Sequence, residues 1–287
     1  MKELLDIRVP EEWAQQTLGD IGQPLPMPLP EVVPPFIRQI IIDAADPRLP
    51  NLRRLIEREE RRRPGTTMVF VSRQYDPDEL RAASAFRLRV NPFVIDTYGE
   101  ECGTEYDDRA VCAKCGAGRV QRGPLVLNTK KVPKKADIAI TIAYNEWVVS
   151  ERLVSLIDSE RVTGCEVEPV MDSKGRHGTP RWYQLLVTAY IGRAFPPTRF
   201  GINYFQEDPT GEYACDLHDW SGLDVLSELY IRAQGNERPD IAKTTNRTGR
   251  FAGYIRPAPL LVISPRLASL LGDHGMRGYA LEVAHFI

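Results

Sequence analysis

The chain has 287 residues, 43% of them hydrophobic, and its 37 Lys and Arg nearly balance 39 Asp and Glu for a formal net charge of −2. That balance excludes a disordered or polyanion-coating chain, and the length allows one large or two modest folded domains. No stretch approaches the roughly 18 apolar residues that cross a bilayer, and Met1 to Asp6 lacks the apolar core of a signal peptide, so a cytoplasmic protein outside the membrane is expected.

In chain order, Gly22 to Phe36 carries prolines at 24, 26, 28, 30, 34 and 35. Proline fixes φ and removes the backbone donor, which predicts an extended surface strap; a motif for an aromatic groove on a partner is the alternative. Asn51 to Arg63 places Leu52, Leu55 and Ile56 on one helical face, with six arginines interleaved with three glutamates. Glutamates at pairing distance favour a solvated surface helix over a nucleic-acid arm. Thr67 to Val71 reads as a strand, Asp76-Pro77 starts a short helix through Phe86, and Phe86 to Val90 alternates with period two as a half-buried strand.

Lys130, Lys131, Lys134 and Lys135 form a solvated connector, contact with phosphate being the alternative. Ala136 to Ile142 is strand-like, and Ser150 caps a helix beginning at Glu151. Further on the pattern predicts a strand over Gln184 to Tyr190 and a helix over Leu223 to Ala233, with Leu226, Leu229 and Tyr230 on one face. A buried strand over Pro259 to Ile263, a helix Arg266 to Leu271 capped by Ser264-Pro265, and an alternating Tyr279 to Phe286 complete the chain. Strands and helices without a βαβ cadence predict an α+β fold of mixed sheets with peripheral helices. The expected divisions are an N-terminal extension over 1–85, a first α+β part over 86–170 and a second over 171–287.

The chemistry concentrates around Tyr98-Gly99-Glu100-Glu101-Cys102-Gly103 and Cys112-Ala113-Lys114-Cys115-Gly116. In a CxxCG turn both thiolates can face one zinc ion at about 2.3 Å, and the glycine tolerates the tight turn beyond the second sulfur. Two such turns on neighbouring hairpins make a zinc ribbon, and a small ribbon-like hairpin insertion is expected here. Gly99 stands where the leading cysteine of the first turn would be. Cys102, Cys112 and Cys115 therefore form an incomplete ligand set for a structural zinc. Glu100, Glu101, Asp107 and Asp108 lie near in sequence as fourth ligands, and Cys215-Asp216-Leu217-His218 is a distant CxxH. Without a fourth ligand the cysteines are small buried hydrophobes held by packing. The roles of Cys165 and Cys215 beyond packing stay open.

The four histidines, His177, His218, His274 and His285, form no HExxH, which disfavours catalytic zinc. Gly116-Ala117-Gly118 after the CxxC, in place of a helix, disfavours a redox pair. GxSxG, GxxxxGK[ST] and GxGxxG are absent. His218-Asp219-Trp220 and Asp172 near His177 read as surface or core hydrogen-bonded residues, and Trp182, Tyr183 and Trp220 as core anchors.

Cys112 to Gly116, Trp147 to Arg152, Gly164 to Val170 and the closing Gly249 to His285 together resemble a bacterial family named for a double CxxCG motif. In the closing segment Arg256 to Leu267 and Glu282 to His285 are the telling residues. The resemblance runs from about Phe86 to the C-terminus. It implies a ribbon-like insertion in a two-part α+β fold and no established catalytic activity. Some members resemble immunity proteins that neutralise a sibling's toxin, so a cognate toxin is the implied partner. Cys112 and Cys115 carry over from the family motif, and Cys102 does so conditionally. The leading expectation is a non-enzymatic, protein-binding immunity protein. A zinc-ribbon nucleic-acid binder, using Lys114, Arg119, Arg122 and the lysines at 130 to 135, and an enzyme with an unrecognised site are the alternatives.

Overall fold

The computed structural model describes residues 1–10, 13, 37–63, 65, 67–143, 145–174, 181–208, 213–233, 235 and 238–287. The proline strap expected over 22–36 and His177 lie outside the described residues. The chain divides into two compact units, Met1–Ala82 with Ile202–Glu207, and Ala83–Gly201 with Asp208–Ile287.

The first unit is an antiparallel sheet in the order β2-β1-β3, formed by β1 (Lys2–Pro10), β2 (Ile37–Asp43) and β3 (Met68–Gln74), together with helix α1 (Leu49–Arg62). β1 alternates strictly, so Leu5, Ile7 and Val9 fall on one face, where they are fully buried with Ile40, Val69, Leu52 and Ile56. Along α1 the arginines meet the interleaved glutamates, Arg53 with Glu57 at 2.7 Å and Arg62 with Glu59 at 3.2 Å. Helix α2 (Pro77–Ala82) opens on a reciprocal cap: Asp76 Oδ1 accepts the N–H of Asp78 and Glu79, while Glu79 Oε2 accepts the N–H of Asp76. It stops four residues before the expected end at Phe86, because Ala85 and Phe86 are buried in the first strand of the second unit.

In the second unit the chain runs through β4 (Ala85–Val90), β5 (Val94–Ile95), α3 (Gly99–Cys102), β6 (Glu105–Asp107), β7 (Val120–Arg122), β8 (Val126–Leu127), β9 (Ile138–Thr141) and β10 (Trp147–Ser150). It continues through α4 (Glu151–Ser159), β11 (Cys165–Pro169), β12 (Met171–Asp172), β13 (Trp182–Val187), β14 (Tyr190–Ala194) and β15 (Phe200–Asn203), whose last two residues count with the first unit. After β16 (Gln206–Glu207), which belongs to the first unit, come β17 (Asp224–Val225), β18 (Leu229–Ala233), β19 (Ile241–Thr248), β20 (Ala258–Ile263), α5 (Pro265–Asp273) and β21 (Tyr279–Phe286). A closed barrel has the order β14-β18-β21-β4-β20-β19, and a five-stranded sheet the order β11-β13-β10-β9-β5. β4 lies before residue 170 and its barrel partners after it, so the regions 86–170 and 171–287 are joined through the barrel. The interior holds Ile191, Leu229, Ile231, Leu260 and Val262, and a separate core of Ile95, Leu125, Leu127 and Val148 underlies the sheet.

Both serine-capped helices form: Ser150 Oγ accepts the N–H of Leu153 at 3.2 Å, and Ser264 Oγ that of Leu267 at 3.1 Å. Two local readings are corrected. The strand expected over Gln184 to Tyr190 is broken, because the N–H groups of Thr188 and Ala189 both turn to the Gly164 carbonyl and the chain passes there from sheet to barrel. The helix expected over Leu223 to Ala233 is instead β17 and β18. Leu226, Leu229 and Tyr230 have helical spacing, but Leu229 and Ile231 are buried with period two. β18 lies between β14 and β21, pairing Arg193↔Arg232 on one side and Leu229↔Ala284 on the other. Two ladders satisfy its backbone, and barrel closure overrides local helix propensity.

The fold is mixed sheets with a few helices, an α+β arrangement. β6 and β7 pair antiparallel, and the Cys112–Cys115 turn lies in the connection between them. Among the described residues no helix is long and apolar enough to cross a membrane.

Candidate metal centre

The CxxC turn is shaped by two backbone bonds: Cys112 N–H donates to the Ala117 carbonyl and Gly116 N–H to the Cys112 carbonyl, each at 2.8 Å. Gly116 sits at φ +67°, and a Cβ there would lie 2.6 Å from the Phe251 ring, so both conformation and space require glycine. The chain after Cys215 makes a similar reversal. A 3₁₀ turn over Asp216–His218 is followed by Asp219 at φ 51°, and Cys215 and Trp220 exchange backbone bonds of 3.0 and 3.1 Å. Trp220 fixes this second turn to the barrel: it bridges to Arg247 of β19, and its indole N–H donates to the Gly249 carbonyl at 2.9 Å. Its ring is buried with Cys115, Ala117 and Cys215, and Tyr213 packs edge-on against it.

The two turns meet. One ligand atom each from Cys112, Cys115, Cys215 and His218 lies within 4.8 Å of all the others, and Cys215 Sγ is 3.6 Å from His218 Nδ1. Ligands bound tetrahedrally at about 2.3 Å stand about 3.8 Å apart, so a contraction of about 1 Å at most brings this set to the geometry of a Cys₃His zinc site. The four residues can hold a metal ion. Their protonation is uneven: the Cys112 thiol is lowered to about 7, chiefly by the backbone N–H groups of Cys115 and Lys114, whereas burial raises Cys115 to about 11.

Cys102 is not among the four. It ends α3, where its Sγ lies 3.1 Å from Thr97 Oγ1. The acids near it in sequence are also engaged elsewhere. Arg119 binds Glu100 at 2.7 Å and Asp108 at 2.8 Å, Arg122 binds Asp107 at 2.7 Å, and Glu101 accepts from Thr97. The distant CxxH, and none of these acids, brings donor atoms beside Cys112 and Cys115. Its spacing was visible in the sequence, but the pairing of Trp220 with β19 that carries it to the first turn was not.

Behind the CxxC turn, sequence reasoning missed a buried carboxylate. Glu146 is only 4% exposed and accepts the Gly99 N–H at 3.0 Å, the Thr141 hydroxyl at 2.7 Å and the Tyr106 hydroxyl. Burial and then the Glu146 charge push the Tyr106 phenol well above its ordinary range. The Arg119 guanidinium covers the Tyr106 ring at 4.1 Å. This network ties the β6–β7 hairpin to the end of β9, holding the base of the loop that carries Cys112 and Cys115. The chain matches no known family model, and no curated protein matches it in sequence.

Proposed function

We propose that the protein holds a structural zinc ion in a Cys₃His cage of Cys112, Cys115, Cys215 and His218, and that the fold so stapled works without catalysis by binding another protein. The observation that carries the metal reading is the convergence of three sulfurs and one imidazole from two separate turns. Three thiolates with one histidine are a zinc-type donor set, and four protein ligands complete a tetrahedron with no coordination position left for a reacting water. The half-buried to buried cage suits an ion that closes a long loop and fixes two turns with little regular structure of their own. In a zinc-ribbon description the β6–β7 hairpin supplies one knuckle, and residues 215–218 replace the second.

The protein-binding reading is supported by the resemblance of Cys112 to Gly116, Gly164 to Val170 and Arg256 to Leu267 to a family with immunity-like members, and its implied partner is a cognate toxin. Elemental analysis of the purified, untagged protein tests the metal centre. About one zinc per chain is expected, lost in both Cys112→Ser and Cys215→Ser. A zinc-free wild type that takes up no zinc on reconstitution overturns it. Co-expression with the product of each neighbouring open reading frame tests the immunity role. Restored growth supports it, and failure to protect against any toxic neighbour overturns it.

A further inference from the structure

β11 (Cys165–Pro169) is an edge strand. β13 pairs along one side of it, from Cys165↔Val187 to Pro169↔Tyr183, and among the described residues no strand pairs along the other. Beside it, toward the C-terminal end of α4, runs an open groove of about 490 Å³. Ile157 and Val162 give this groove apolar wall, and Asp158, Glu166 and Glu168 set three carboxylates against the single guanidinium of Arg161. Ile157, Val162 and Cys165 also line a small apolar recess of about 20 Å³ that continues beside Leu153 and Leu185.

Register sorts these side chains. Cys165 and Val167 stand opposite Val187 and Leu185, on the sheet face that borders the apolar recess, whereas Glu166 and Glu168 stand opposite Leu186 and Gln184, on the other face. An open strand edge, a groove between strand and helix, and a small apolar recess are what strand addition by an extended peptide uses: backbone bonds supply affinity and alternate side chains supply specificity. The charge selects the peptide. Lysines at alternate positions would meet Glu166 and Glu168 across the new strand pair, and aliphatic residues between them would lie beside Cys165 and Val167, with space for one methyl-sized group in the recess.

We propose that the groove between α4 and β11 receives an extended segment of a partner protein, with alternating basic and aliphatic residues, as an added strand. This rests on the protein-binding reading and names the surface and the chemistry of the partner.

The test is fluorescence anisotropy of a labelled Lys-Val-Lys-Val-Lys-Val peptide against the zinc-loaded full chain at low salt. Saturable binding is expected. It should weaken at least tenfold for the Glu166→Lys/Glu168→Lys variant, and at least tenfold for a peptide of the same charge with alternate backbone nitrogens methylated. Both glutamates are exposed, so the variant is expected to keep the wild-type circular dichroism spectrum and zinc content. Absence of saturable binding, or a smaller loss in either arm, overturns the proposal. A variant that does not fold is replaced by Glu166→Gln/Glu168→Gln, read by the same criterion. Zinc content and protection on co-expression are read separately, so failure of the peptide test with an intact cage and a protected cell removes this groove and not the binding role.

Discussion

Glu146 accepts the backbone N–H of Gly99 with both carboxylate oxygens, at 3.0 and 3.1 Å, across 47 residues of chain. A Cβ on Gly99 would lie 2.6 Å from Glu146 Oε1 and 2.8 Å from both Leu125 Cδ1 and Thr104 Oγ1. The position where a double-knuckle pattern has a cysteine is therefore closed by packing. Gly99→Cys, which restores the motif on paper, is expected to destabilise by about 1–3 kcal/mol, as overpacked interiors do. Urea unfolding of the two proteins checks this; equal midpoints with unchanged slopes would contradict it.

The same carboxylate supports a second prediction. Glu146 accepts from Gly99, Thr141 and Tyr106, and an amide presents an NH₂ group to some of these donors. Glu146→Gln should cost about 1–3 kcal/mol, the typical penalty for leaving buried polar groups unmatched. Tyr106→Phe should cost less, because it removes one donor and leaves the other two in place. Chemical denaturation that ranks these two variants in the opposite order would disprove this assignment.

Metal content should separate the cysteines. Cys102 Sγ contacts Thr97 and lies outside the four-ligand group, so Cys102→Ser should keep the wild-type zinc stoichiometry while Cys215→Ser loses it. Because each cage variant removes the same ion, the stability losses of Cys112→Ser and Cys215→Ser should be far from additive in the double variant. Calorimetric melting of the wild type and these three variants, with and without a chelator, measures this.

Glu282 of β21 is directly opposite Arg87 of β4 and receives Arg87 at 3.0 Å and Arg89 at 2.8 Å. Its side chain is 5% exposed, against 14% for Arg87 and 39% for Arg89. Removing the carboxylate leaves two cations on one barrel strand without their shared anion, and Glu282→Ala should cost about 3 kcal/mol or more. Arg89→Ala should cost less, since that guanidinium is already well hydrated. Equal losses would contradict the weight given to burial.

Acid should loosen the cysteine hairpin. Hydrogen bonds from the Arg109 side chain, and then from Arg122, hold the Asp107 carboxyl well below its ordinary value of 3.8. A carboxyl with a depressed folded-state pKa adds stability that is fully present above the unfolded value and is lost as pH falls through the folded one. Amide exchange of β6 and β7 should therefore accelerate below about pH 4 relative to the barrel strands, and Asp107→Asn should flatten that response.

Short-range signals were legible in the sequence. The Asp76-Pro77 helix start, the serine caps at 150 and 264 and the strand over Tyr279 to Phe286 each depend on residues close together in sequence, and the structure contains all of them, although Glu282, Val283 and Ala284 are buried in succession in the barrel where alternation was expected. The Cys112-x-x-Cys115-Gly116 turn was equally plain, because its geometry is closed by its own backbone. Leu223 to Ala233 was misread because Leu226, Leu229 and Tyr230 suit a helix when their neighbours are unknown. Two flanking ladders in the barrel make residues 229–233 a strand.

The sequence by itself determined the first pair of candidate ligands, the starts of α2, α4 and α5, and the cores of β3, β4, β9, β13, β20 and β21, since turn closure, capping and strand patterning act over a few residues. Only the tertiary structure decided that Cys215 and His218 stand beside Cys112 and Cys115, that Cys102 stands apart, and that Glu146 fills the space a cysteine at 99 would need. A metal cage and a buried carboxylate both depend on atoms meeting within a few ångströms across long stretches of chain. That convergence is set by barrel and sheet pairing, to which no local spacing rule has access.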